Sequence, residues 1–279
     1  MSPARREPIF KIPGVVVGLF AVLALIQIVQ NLLSPGADDR MLALFAFVPG
    51  RLTFAFDPAG VIAKLQASPD ALRGAGLFLL GGGGAKPWTA LTYAFVHAGW
   101  VHLLSNSVWL AAFGAPVARR IGPWRFLALF CAASIAGALA QWLAQPYALE
   151  PVVGASAGIS GLMAAATRFV FQPGAPLGAP SAGEDAPRAI ARPLSLLETL
   201  SEGRALAFIL MWFLINFAFG LLAQPLGITS GAIAWQAHIG GFLFGLVLFG
   251  VFDRPGGENA AEEAEARIDS SSAAPRDPS

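Results

Sequence analysis

The chain has 279 residues, of which 56% are hydrophobic and only 13% charged, and its mean hydropathy is +0.63. Soluble domains carry about 25% charged residues, so this composition excludes a soluble globular protein and predicts a polytopic membrane protein. The formal net charge of +1 identifies no partner, and the single cysteine, Cys131, excludes a disulfide framework within the chain and reads as a small buried apolar residue.

A spanning helix needs about 20 mostly apolar residues. After a short basic segment, residues 1–12, such a run covers 13–33; with no cleavage site after it, it reads as a retained first span rather than a signal peptide. The link 34–87 follows. Two of its stretches, Met41 to Phe47 and Gly60 to Leu65, are apolar enough for short interfacial helices, and Gly81 to Gly84 reads as a flexible joint. Further spans are predicted at 91–117, 124–145, 152–172, 205–224 and 231–252. The second begins with polar residues (Thr92, His97, His102), and the fourth is mostly alanine and glycine, as expected of helices that line a protein interior. The link 173–193 is rich in Pro, Gly and Ala and is expected to be disordered. The tail 253–279, with Glu258, Glu262, Glu263 and Glu265 before Asp269 and three serines, is expected to be solvated. The expected fold class is therefore all-α, a six-helix membrane bundle over 13–252.

Basic residues orient it. Arg5, Arg6 and Lys11 precede the first span, Arg119, Arg120 and Arg125 lie between the second and third, and Arg168, Arg188, Arg192 and Arg204 surround the link between the fourth and fifth. The links between spans three and four and between five and six carry no Lys or Arg. Positive charge marks the cytoplasmic side, so both termini are expected inside the inner membrane, with 34–87 external. No internal repeat is evident, which counts against a transporter built of inverted repeats.

Polar groups within a bilayer are functional hypotheses by default. Ser156 sits among small residues about one turn into the fourth expected span, and His238 about two turns into the sixth. Both spans run inward, so both residues fall at a similar shallow depth on the external side. A serine and a histidine so placed can form a nucleophile and its base. His102 and Asn106 are four apart, share one helix face and offer donors to a developing oxyanion. The chain's three histidines, His97, His102 and His238, raise zinc as a competitor. Against it, His97 and His102 are about 140° apart round a helix, and no His-Glu-x-x-His motif is present. No metal, no cofactor and no nucleic-acid partner are expected.

These residues carry a resemblance. His102-Leu103-Leu104-Ser105-Asn106, Gly154-Ala155-Ser156 and Ala237-His238-Ile239-Gly240-Gly241 with Gly245, in that order and on those spans, resemble the motifs of rhomboid intramembrane serine proteases in their six-span bacterial form. The resemblance implies Ser156 as nucleophile, His238 as base, His102 and Asn106 as oxyanion donors, and a more structural role for His97. It implies that Gly241 and Gly245 let spans four and six pack closely. It also implies transmembrane protein segments as substrates, reached through the lipid bilayer; the alternative is a catalytically silent relative that binds membrane segments. Three departures stand out. Ala157 follows Ser156 where the family has glycine, so that Gly158-Ile159-Ser160-Gly161 is the literal match; Ser160, on the same face but about 6 Å deeper, fits the depth of His238 less well. Ser160 also occupies a position that often holds an aromatic ring against the histidine. Trp88-Thr89 stands where the family has Trp-Arg, which leaves Trp88 as an interfacial anchor.

Overall fold

A computed structural model describes residues 12–81, 84–172, 175, 192–226 and 233–253. The expectations for the N-terminal segment, the link 173–193 and the tail fall almost wholly outside these residues, as does the middle of the Gly81–Gly84 run. Among the described residues the chain is helical. The one β-type pairing is an isolated antiparallel bridge between Phe47 and Val152.

Helix α1, Gly14–Leu32, buries Val16, Leu19, Leu23, Gln27 and Gln30, a spacing of three and four that puts one stripe against the bundle. The link that follows folds into four short helices: α2 (Pro35–Phe45), α3 (Pro49–Phe54), α4 (Pro58–Gln66) and α5 (Asp70–Leu80). The first three start on a proline, whose missing N–H costs nothing at the first helical position. Asp57 caps α4 by accepting from Gly60 N at 2.9 Å, and its other oxygen accepts from the Tyr147 hydroxyl. Two buried cations hold the link together. Arg51, 2% exposed, donates through Nε and Nη2 to the Leu79 carbonyl, and Lys86 Nζ donates to the Ala43 carbonyl at 3.1 Å. Burial lowers the pKa of both groups. Trp88 donates to Leu44 O, and Thr92 to Phe45 O. With no arginine beside Trp88, Arg51 and Lys86 serve the carbonyls of this link.

The second expected span is broken at its N-terminal end. A short helix α6, Thr89–Thr92, runs into a 3₁₀ turn, Tyr93–Phe95, and the regular helix α7 begins only at Trp100 and ends at Trp109. A widened π turn, Leu110–Gly114, then leads to α8, Ala115–Ile121. Pro116 explains the widening: its ring would collide with the carbonyl four residues back in a regular helix. Helices α9 (Pro123–Ala144), α10 (Ser156–Thr167), α11 (Leu196–Ser201), α12 (Gly203–Leu222) and α13 (Trp235–Phe252) complete the chain.

Among the described residues five segments are long and apolar enough to cross a membrane: α1, α7 through α8, α9, α12 and α13. The fourth expected span, 152–172, is helical only over the 12 residues of α10. Twelve residues rise about 18 Å, short of the roughly 30 Å of a hydrocarbon core. The cause lies at its ends. Val152 is held extended by Phe47, with N···O distances of 2.7 and 3.1 Å, and Gly154 turns the chain at φ +112°. At the far end the chain leaves the helix at Arg168, which donates to the carbonyls of Leu194 and Leu246. Every residue of α10 after Ser156 is buried, so protein rather than lipid surrounds this helix.

Candidate active site

Four helices, α7, α9, α10 and α13, meet around the start of α10. Their approach depends on missing side chains. A Cβ on Gly241 would drive into the Ala157 carbonyl, and one on Gly245 into the Gly161 carbonyl, so α10 and α13 touch backbone to backbone, as small-xxx-small spacing permits.

That contact brings Ser156, the first residue of α10, to His238, in the first turn of α13. Ser156 Oγ lies 2.8 Å from His238 Nε2. Both residues stand nearer their helix starts than the sequence spans suggested, because each helix begins later than expected, yet the two side chains still meet. Ser160 Oγ points elsewhere and donates to the Ser156 carbonyl at 2.7 Å. Of the two serines, Ser156 is the one in contact with the histidine.

Gly154 sets the approach of α7. The ideal Cβ position on Gly154 is 2.5 Å from His102 Cε1 and 3.6 Å from Asn106 Nδ2. His102 and Asn106 therefore converge on the backbone just before Ser156. Asn106 Nδ2 is buried without a hydrogen-bond partner among the described residues. Most buried polar groups are satisfied, so this donor stands ready for an acceptor. The first N–H groups of α10 also lack partners one turn back in the helix.

His97 sits before α7 and is 1% exposed. Its Nε2 accepts from Ala155 N at 3.4 Å, its own backbone N–H donates to Gln30 Oε1, and its ring lies edge-on to His102 at 5.2 Å. It thus braces the residue preceding Ser156 and ties α1 to the site. Tyr93 supports the same segment: its carbonyl accepts from Gly154 N, and its hydroxyl donates to Ser134 O.

One neighbour of the histidine is not anticipated by the sequence analysis. Asn216, on α12, places Oδ1 2.8 Å from His238 Nδ1 and donates through Nδ2 to the Trp235 carbonyl at 3.2 Å. The available signal was an amide in the otherwise apolar run Leu206–Leu222.

The basic residues lie at the other ends of these helices. Arg120 forms a two-pronged pair with Asp253, with both side chains about 10% exposed, and lies over the Phe169 ring.

The fold defines an integral membrane protein of the helical-bundle class, with Ser156, His238, Asn216, His102 and Asn106 gathered at one end of the bundle and the basic residues at the other. The Rhomboid domain family model matches residues 84–254, more than half of the chain, and the protein belongs to that family. It is similar to rhomboid protease GluP of Bacillus subtilis (strain 168), at 38% identity over 28% of this chain and 15% of the relative. The putative rhomboid protease YdcA of the same organism is 36% identical over 30% of this chain and 41% of the relative. Human rhomboid-related protein 3 is 40% identical over 29% and 20%. Each match thus covers less than half of the relative's length.

Proposed function

We propose that the protein is a serine endopeptidase that cleaves transmembrane segments of other membrane proteins with Ser156 and His238. The observation that carries this reading is the 2.8 Å contact between Ser156 Oγ and His238 Nε2. Membership of a family whose relatives include named proteases supports it.

In the reaction, Ser156 Oγ attacks a peptide carbonyl carbon while Nε2 of His238 takes the hydroxyl proton. The carbonyl oxygen becomes an oxyanion beside Gly154, where the unpartnered Nδ2 of Asn106, a ring N–H of His102 and the first N–H groups of α10 are the available donors. Collapse breaks the C–N bond, and the imidazolium gives its proton to the departing amine. Water, deprotonated by His238, then releases the acyl group. Ser156, His102 and His238 are only partly buried, at the end of the bundle away from Arg120, Arg168 and Asp253, which fits water entering there. If the basic end is cytoplasmic, both termini lie inside the inner membrane and the site opens outward. An intact helix hides every amide, so a substrate segment has to unwind locally, and small or helix-breaking residues near the scissile bond favour cleavage.

The test is cleavage of a model transmembrane substrate in liposomes by wild type, Ser156→Ala and Ser160→Ala. Loss with Ser156→Ala alone supports the assignment. Equal turnover by all three removes it, and binding of the segment without turnover by wild type points to a silent relative.

A further inference from the structure

The histidine of a serine–histidine pair works only with its proton on the nitrogen that faces away from the serine. In this protein a hydrogen-bond chain fixes that choice, and it starts from an atom whose role is not open. The carbonyl oxygen of Trp235 can only accept, so the group 3.2 Å from it on Asn216 must be the amide nitrogen. Asn216 Oδ1 therefore faces His238 Nδ1, at 2.8 Å. An amide oxygen has no proton to give, so Nδ1 carries the N–H. The lone pair of the neutral ring is then left on Nε2, the atom 2.8 Å from Ser156 Oγ, where the hydroxyl donates.

Resting on the peptidase reading above, we propose that Asn216 is a positioning residue that makes the pair a triad, Ser156–His238–Asn216. The amide holds the imidazole in the base-competent tautomer and fixes its rotation about the Cβ–Cγ bond. As Nε2 takes the proton in the first step, the Nδ1–H bond to Oδ1 strengthens, because the ring has become a cation facing the negative end of the amide dipole. Among the described residues no carboxylate is hydrogen-bonded to Nδ1, whose partner is Asn216 Oδ1. The burial of Asn216 agrees with this role: α12 is the least buried of the five spanning segments, and Asn216 is one of only three of its residues that are buried, with Ala205 and Ile209. The amide is thus directed inward on a helix that otherwise faces mostly outward.

The experiment compares wild type, Asn216→Leu and Asn216→Asp as full chains in liposomes, with Ser156→Ala as the blank. Leucine keeps the approximate volume and removes the acceptor, whereas aspartate keeps an oxygen at Nδ1. The expected result is a fall in kcat of about 10- to 100-fold for Asn216→Leu, part of what a general base contributes, with KM changed less than about threefold. Asn216→Asp recovers most of the loss. Nitrogen-15 spectra of the histidine rings give a readout that a packing defect does not mimic: His238 carries its proton on Nδ1 in wild type and in Asn216→Asp, and becomes a tautomer mixture in Asn216→Leu. A wild-type spectrum with the proton on Nε2 overturns the proposal even if no variant folds. Wild-type kcat in a folded Asn216→Leu overturns it as well. Cleavage by Ser156→Ala at the wild-type rate, or none by wild type, removes the peptidase reading and with it any catalytic service by Asn216. The ring spectra are independent of turnover and separate the two failures.

Discussion

Gly241→Ala adds one methyl group where α10 and α13 touch, one turn below His238. The new Cβ would lie 2.7 Å from the Ala157 carbonyl carbon, against a carbon–carbon optimum of at least ~3.5 Å. The Ala157 carbonyl oxygen is nearer still, and neither a Cβ fixed to its helix nor a helix carbonyl can swing aside, so relief requires the helices to part by at least about 0.8 Å. Ala157 adjoins Ser156, and a parting of that size carries the 2.8 Å contact of Ser156 with His238 to roughly 3.6 Å, beyond a hydrogen bond. A misplacement of about 1 Å costs on the order of 10²-fold in rate, and overpacking of this kind costs about 1–3 kcal/mol. The expected outcome is a kcat near one hundredth of wild type, with KM little changed and a lowered Tm, read from cleavage assays and thermal unfolding in the same detergent. Gly250→Ala is the internal control. Its Cβ would meet nothing closer than Arg168 Nη1 at 3.8 Å, so it should be as active as wild type and equally or more stable. A Gly241→Ala protein with wild-type kcat and Tm would falsify the claim that this contact sets the site.

Gly154→Ala places a methyl group 2.5 Å from His102 Cε1 at a backbone angle of φ +112°; it should lose at least about tenfold in kcat, and retained activity would show that His102 has room to move. Arg51→Leu removes the two N–H groups that Arg51 gives the Leu79 carbonyl and should cost about 1–3 kcal/mol, seen as a lower Tm with kcat preserved in the folded fraction. A double-mutant cycle on Arg120→Ala and Asp253→Ala should return a coupling of about 1–3 kcal/mol; additive effects on Tm would mean that the pair contributes nothing of its own. The Glu198 carboxyl is held at about 2, chiefly by Arg192, with Ser195 also bonding to it. Its folded pKa is depressed, so its support of the α11 cap is complete above the ordinary value of 4.5 and is lost as pH falls through about 2. A carbon-13 titration of Glu198 with its midpoint near 4.5 would contradict this.

The apolar spans were legible because hydropathy and helical periodicity report directly on lipid and core. α1 shows this best: its buried stripe at Val16, Leu19, Leu23, Gln27 and Gln30 follows the expected period. The pairing of Ser156 with His238 was approachable for the same reason, since the expectation needed only helix rise and direction. The ends of α10 were not. Alanine and glycine continue past the point where the helix starts, and what stops it is Val152 pairing with Phe47, 105 residues earlier. Arg51 and Lys86 were equally opaque, because their partners are backbone carbonyls, which every residue has. Asn216 lay between these cases. An amide in an apolar helix is conspicuous, but only the facing of α12 and α13 supplies Nδ1 of His238 as its acceptor-seeking neighbour.

The brevity of α10 carries a consequence for how the protein responds to its membrane. A helix sheathed by its neighbours has no hydrophobic mismatch to relieve, so a thicker or thinner bilayer does not pull on it directly. The strain falls on the outer segments, which respond by tilting, and α13 is the one that bears His238 while leaning on α10 through Gly241 and Gly245. Acyl-chain length should therefore reach the serine only as a lean of its partner helix, and the rate of the reaction becomes a gauge of that lean.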